Sequence, residues 1–250
     1  MHMSDSLLSP AVGAAMCAVS LAANVYAVKK IKQDGICSEK IPLIGAMSAF
    51  VFATQMLNFT IPATGSSGHI IGGILLAAII GNFPALLAIS VVLAVQCLLF
   101  ADGGLLALGC NIFNMGVIPC LFIYPLLFKP LIKNGMTFKS ITLASIASSI
   151  ASLQIGAFCV VLETQFSGIA ALPFSTFLSL MQPIHFAIGI AEGVITATIL
   201  CFVHLYQPRR LVITFATLAI FAGCFLSPFA SPYPDGLEWS IEKTMEKNFN

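Results

Sequence analysis

The chain has 250 residues, of which 58% are hydrophobic and 8% charged, with a mean hydropathy of +0.99. A water-soluble domain carries about 25% charged residues, so a soluble enzyme of this size is excluded. Eleven Lys and Arg against ten Asp and Glu, in no basic block, exclude a nucleic-acid partner as well. What remains is an all-α polytopic membrane protein. The eight cysteines, at 17, 37, 97, 110, 120, 159, 201 and 224, lie mostly in apolar runs without a CxxC pair. They read as small buried apolar residues and not as a disulfide framework.

A transmembrane helix needs about 20 apolar residues, and such runs predict eight spans near 9–29, 41–59, 70–81, 83–100, 105–128, 141–162, 183–206 and 211–228. The first has its positive charge after the apolar core, at Lys29 and Lys30. A signal peptide carries it before, so an uncleaved helix with its N-terminus outside is expected. The third run is too short to cross the bilayer. It reads as half of a broken helix pair or as one arm of a tight hairpin marked by Pro84. Residues 163–182, interrupted by Pro173, read as an interfacial stretch. The main body is expected at 1–206, an additional helix at 207–228 and an extracytoplasmic tail at 229–250, with no internal repeat.

Lys and Arg in short loops set orientation. Lys29, Lys30, Lys32 and Lys40 follow the first span, Lys129, Lys133 and Lys139 the fifth, and Arg209 and Arg210 the seventh. With eight spans all three clusters face the cytoplasm, and both termini face outside. The outer face receives Asp5, Asp102, Glu163 and the acidic tail Asp235, Glu238, Glu242 and Glu246.

In so apolar a chain the few polar groups carry the information. The Met1 amine, the backbone nitrogen of His2 and the His2 Nδ1 can bind one metal in fused five- and six-membered rings. That nearly planar set of three nitrogens suits Ni(II) or Cu(II), and His69 can supply a fourth. The competing reading makes His2 a bystander on an exposed terminus. Gly65, Ser66, Ser67 and Gly68 precede His69; glycines allow tight turns, and the serine hydroxyls are expected to bond to an imidazole. A plain connecting turn is the alternative. Gln96, Asp102, Asn111 and Asn114 are expected either to order the same outer loops or to bond across helices.

His185 and Glu192, two helical turns apart, read as an intramembrane polar pair. Such residues are functional by default, here as a proton relay or as a structural pairing. His204 is expected to snorkel to the cytoplasmic interface. Ala14, Ala18 and Ala22 form a small-residue stripe that permits close helix packing. No Walker A loop, GxSxG elbow, HExxH or rhomboid-like serine site occurs. No catalytic residue is therefore assigned, no cofactor is expected, and the chain is not expected to hydrolyse ATP.

Several ordered blocks resemble one family: Met1-His2 with Leu7-Leu8-Ser9-Pro10, Gly65-Ser66-Ser67-Gly68-His69-Ile70-Ile71-Gly72-Gly73, Gln96 through Leu105, Asn111-Ile112-Phe113-Asn114-Met115, and His185 through Gly193. The family is the substrate-binding membrane (S) subunit of energy-coupling-factor cobalt or nickel transporters, the CbiM/NikM type. The resemblance spans roughly 1–206 and implies a seven-helix S-component core plus one extra C-terminal transmembrane helix, in a prokaryotic cytoplasmic membrane. It implies capture of Co²⁺ or Ni²⁺ outside, by Met1, His2 and His69, as transported substrate. It further implies ATP-binding subunits and a coupling subunit, with the alanine stripe as the face offered to the latter. Cobalamin biosynthesis is the expected setting if the metal is cobalt. Pro234-Asp235-Gly236-Leu237-Glu238 resembles the PDGLE element of a small companion membrane protein. Ser4-Asp5-Ser6 departs from the family's acidic residue followed by glycine. The alternative from another class is an intramembrane enzyme using His185 and Glu192.

Overall fold

A computed structural model describes residues 1–35, 40–206 and 208–249. Cys37 and the side chain of Arg209 lie outside the described residues. Helix α1 (Pro10–Asp34) opens on Ser9, whose side chain accepts from Val12 N–H, with Pro10 in the first turn; Gly35 ends it at φ 73°. This is the usual asymmetry of proline at a helix start and glycine past its end. α2 (Ile41–Gln55) follows, then a hairpin of β1 (Phe59–Ile61) and β2 (Ser66–Gly68), in antiparallel register with Phe59 opposite Gly68. α3 (Gly73–Ile80) and α4 (Asn82–Phe100) come next.

α5 (Leu108–Ile132) is wound more loosely than an α-helix over Phe113–Phe128, where Pro119 and Pro125 stand inside it. Proline has no N–H to give and its ring crowds the preceding turn, so the helix widens there. α6 (Phe138–Ser167) begins with a reciprocal Thr137–Ser140 capping box. α7 (Phe174–His204), α8 (Pro208–Phe221, continued by a wide turn Ala222–Leu226) and α9 (Gly236–Phe249) complete the chain.

Among the described residues six helices are long and apolar enough to cross a membrane: α1, α4, α5, α6, α7 and the α8 run Arg210–Phe229. α2 has 15 residues and α3 only 8. Close packing in lipid relies on small residues. A Cβ on Gly189 or Gly193 of α7 would come within 2.9 or 2.5 Å of the backbone of Ile150 or Ile146 on α6. Likewise, Gly109 of α5 lies against the backbone of Cys17, and Ser20 Oγ donates to Gly109 O at 2.6 Å. α8 packs on α2, with Phe50 and Phe215 ring centroids 5.3 Å apart. The start of α2 (Lys40), the end of α7 (His204), the α5–α6 loop (Met136) and the start of α8 (Leu211) line one cleft. That end of the bundle carries most of the basic residues; the candidate site lies at the other.

Four expectations are corrected. The third run does not become one helix: its first residues continue extended from the hairpin, and α3 occupies only 73–80. The reversal into α4 is made by Gly81 at φ 94°, while Pro84 sits inside the first turn of α4. Residues 163–182 are not an interfacial stretch, because α6 runs to Ser167, Gly168 caps it at φ 63°, and Pro173 starts α7. The second span, expected to reach 59, ends as a helix at Gln55, and Phe59 already belongs to β1.

Candidate metal site

The N-terminal segment lies on the Ala101–Gly104 loop. Asn111 clamps it like a strand partner, accepting from Met3 N–H at 2.8 Å and donating to Met3 O at 3.2 Å. Gly104 N–H donates to the same carbonyl at 3.0 Å, and Asp5 Oδ1 accepts from Ala107 N–H at 3.0 Å. Gly103 holds φ 81°, and a Cβ on Gly104 would run into the Asp5 carboxyl. The terminus is thereby drawn inside: Met1 is 4% exposed. His2 is no bystander on a free end.

His69 follows β2 in the extended segment that dips into the bundle. Irregular backbone at that depth needs protein partners for its polar groups. Glu192 of α7 supplies them, accepting from Ile71 N–H at 2.8 Å and Gly72 N–H at 3.0 Å. Gln55 of α2 donates to Ile71 O at 2.6 Å.

The two imidazoles stack, with centroids 4.9 Å apart, and their outer nitrogens are committed. His2 Nε2 meets Gln96 Oε1 at 3.3 Å. The Gln96 amide nitrogen donates to Met56 Sδ at 3.8 Å, so the oxygen faces the imidazole and Nε2 is the donor. That leaves the His2 Nδ1 lone pair free, as a six-membered chelate ring requires. His69 Nδ1 donates to Ile70 O at 3.2 Å, which leaves its Nε2 lone pair facing the Met1 amine at 3.3 Å. Fixing the tautomer of a ligating histidine through its other nitrogen is the general device of metal sites.

Burial, then the neighbouring terminal ammonium, lowers the pKa of both imidazoles to about 3. Both are therefore neutral at physiological pH, the form that binds metal. Asp235 from the tail accepts an ion pair from the Met1 ammonium at 3.0 Å. Burial alone would raise its pKa, but the ammonium and His69 carry it well below the usual carboxylate range. Asp102 stands 3.6 Å from His2 Nδ1; burial is the largest influence on it and raises its pKa. A cleft of about 330 Å³ leads in from outside, lined among others by Asp102, Asp235 and Glu238. Three carboxyls at one mouth concentrate cations there.

Among the described residues no three His, Cys, Asp or Glu side chains form a metal cage; a four-nitrogen set here needs the main-chain nitrogens of Met1 and His2.

Several sequence expectations land elsewhere. Ser66 Oγ donates to Ser67 O and Ser67 Oγ to Tyr233 O and Pro234 O, so neither hydroxyl serves an imidazole. Asn114 donates to Glu163 at 2.8 Å and has no bond to the histidines. His185 and Glu192 are not hydrogen-bonded to each other: Glu192 holds the 71–72 backbone, whereas His185 Nδ1 donates to Met181 O at 2.8 Å. His185 Nε2 is buried without a partner, in a small cavity it shares with Met1, His69 and Asp235. Ala14, Ala18 and Ala22 are exposed on α1. Sequence reasoning missed Asp235 as a member of the site. The available signal was its place just after the last apolar run, in the acidic tail.

Residues 2–210 match the family described as the cobalt uptake substrate-specific transmembrane region, CbiM, and residues 209–250 match the PDGLE domain. The chain belongs to the CbiM family. The chain is 29% identical over 208 residues to an Archaeoglobus fulgidus protein named for fused nickel transport, NikMN, covering 83% of this chain and 67% of the relative. It is 28% identical over 216 residues to the cobalt transport protein CbiM of Clostridium tetani, covering 84% and 87%. A solved truncated transition metal transporter superposes with a TM-score of 0.71 at 27% identity, over 81% of this CbiM chain and 98% of that one. This protein is thus a multi-pass member of a cobalt and nickel transport family, with a PDGLE domain at its C-terminal side.

Proposed function

We propose that this chain captures Co²⁺ or Ni²⁺ at the outer face of the cytoplasmic membrane and delivers it inward as the substrate-specific subunit of an energy-coupling-factor transporter. The metal is held by the Met1 amine, the His2 backbone nitrogen and Nδ1, and His69 Nε2. The observation that carries this reading is the pair of fixed tautomers: Gln96 and the Ile70 carbonyl each commit one imidazole nitrogen and leave the other free beside the terminal amine. Residues 1–206 form the seven-helix core, 207–228 an extra span and 229–250 an outer tail. Both chain ends lie outside, because the basic helix ends gather at the opposite pole. Coupling and ATP-binding subunits supply the energy, the former docking on the exposed Ala14–Ala18–Ala22 face of α1, where small side chains allow close approach.

The test is a Ni²⁺ and Co²⁺ titration of purified protein, native N-terminus against a form with one residue added before Met1. The native form binds one ion per chain, and the added residue abolishes tight binding without unfolding the protein. Equal binding by both forms would sink the chelate.

A further inference from the structure

We propose that the cleft at the basic pole is a binding site for one anionic phospholipid, with the phosphate at its rim and an acyl chain in its floor. The proposal does not depend on the metal reading above. Three observations carry it.

First, the cleft is layered along its helices. It has a volume of about 410 Å³, and Lys40 at the start of α2, His204 at the end of α7 and Tyr206 just beyond stand in its lining. One turn further into the bundle, α2 presents Leu43 and α7 presents Leu200, joined by Ile79 of α3 and Leu211 of α8. Leu43, Leu200 and Leu211 are at most 8% exposed. The rim is therefore polar and the floor apolar.

Second, the helix on this side stops short. α3 has 8 residues and rises about 12 Å at 1.5 Å per residue, against about 30 Å of bilayer hydrocarbon. It covers only part of that side, and the cleft opens between α2, α7 and α8. An apolar floor favours hydrocarbon over water, and a bilayer supplies hydrocarbon as acyl chains.

Third, the rim carries charge of one sign. No described Asp or Glu lines the cleft, while Lys133 and Lys139 flank the α5–α6 loop and Arg210 precedes Leu211. The Tyr206 ring is steadied by Phe202, with centroids 4.3 Å apart, which holds a hydroxyl donor at the same rim. An ammonium beside neutral donors suits a phosphate, and basic pockets between transmembrane helices bind phospholipid head groups. A zwitterionic head group would bring a second cation to a rim with no acid to pair it. The bound phospholipid touches both α7 and α8, so it holds the extra span to the core at the pole opposite the tail.

The experiment is native mass spectrometry of the full chain in detergent doped with dioleoyl phosphatidylglycerol or dioleoyl phosphatidylcholine, which share acyl chains and differ in head group. Wild type is compared with K40Q and K32Q; Lys32 is a basic residue in the last turn of α1 that does not line the cleft. We expect the wild type to retain one phosphatidylglycerol in preference to phosphatidylcholine. K40Q should weaken that retention about fivefold, the scale of one basic residue at an anionic membrane surface, and K32Q should leave it unchanged. Glycerol 3-phosphate, a head group without acyl chains, should not displace the lipid. Equal retention of the two lipids, or equal losses in K40Q and K32Q, overturns the proposal. Displacement by glycerol 3-phosphate overturns it in favour of a free phosphate site, and retention of neither lipid overturns it in favour of a protein partner in the cleft.

Discussion

At the scale of single residues, the site is a problem of lone pairs. An imidazole offers either nitrogen, and the proposed chelate needs Nδ1 of His2 but Nε2 of His69. Gln96 makes the first choice and the Ile70 carbonyl the second. Gln96→Leu, apolar and of similar size, removes the acceptor and frees the His2 tautomer. It is expected to weaken Ni²⁺ or Co²⁺ binding about 10- to 100-fold and to cost the metal-free protein about 1–3 kcal/mol for the buried donor left unpaired, which calorimetry and a melting curve together check. A pH dependence follows from the same groups. Both imidazoles titrate near 3 when folded against 6.5 in their ordinary state, so the unfolded chain takes up protons that the folded one refuses. Their contribution is present in full above pH 6.5 and is lost progressively as pH falls from 6.5 toward 3. The melting temperature of the metal-free protein should fall over that interval, and His2→Gln should flatten the slope. That Met1 and His2 could form one chelate was legible in the sequence because it depends only on position and on which atoms are present; that His69 lies beside them came from the resemblance and not from spacing. The partners of Ser66 and Ser67 were not, since a hydroxyl takes whichever carbonyl the tertiary fold brings nearest.

At the scale of elements, the decisive piece is the extended segment between β2 and α3. It carries His69 inward, and its exposed N–H groups would be orphaned without Glu192. Glu192→Ala leaves two buried donors unpaired at about 1–3 kcal/mol each. It is expected to lower both the melting temperature and the metal affinity, whereas Glu192→Gln, which keeps one acceptor, should lose less of each. His185→Ala is a contrasting case: its Nε2 has no partner to lose, so the change is felt mainly as a void beside Met1 and His69. The long helices were legible because twenty apolar residues in a row admit few other structures in lipid. The 70–81 run was not, because hydropathy scores an extended buried strand and a buried helix alike. The start of α7 was hidden for a related reason: polar Ser175, Thr176, Ser179 and Gln182 interrupt its apolar face, and Pro183 inside it mimics a break.

At the scale of the molecule, one pole of the bundle is basic and the other gathers the candidate ligands and three acidic groups. The distribution of Lys and Arg predicts that the acidic pole faces outward. In a cysteine-free background, a cysteine at exposed Ser6 should react with an impermeant maleimide on intact cells, and one at Met136 only after the membrane is opened. The reverse pattern would invert the topology. The bipolar charge was readable from the loops alone. The closure of one pole by the tail was not, because it depends on backbone pairing between segments about 170 residues apart.

The ion pair between Met1 and Asp235 joins residues separated by 234 positions. During synthesis the first of them is made at once and the second only after every membrane crossing has been completed. A nascent chain, or one stranded with its final helix uninserted, therefore carries the terminal ammonium without the carboxylate that pairs with it. Closure of this pole is the last step of insertion, so that under the proposed function each captured ion is held by a chain already threaded to carry it inward.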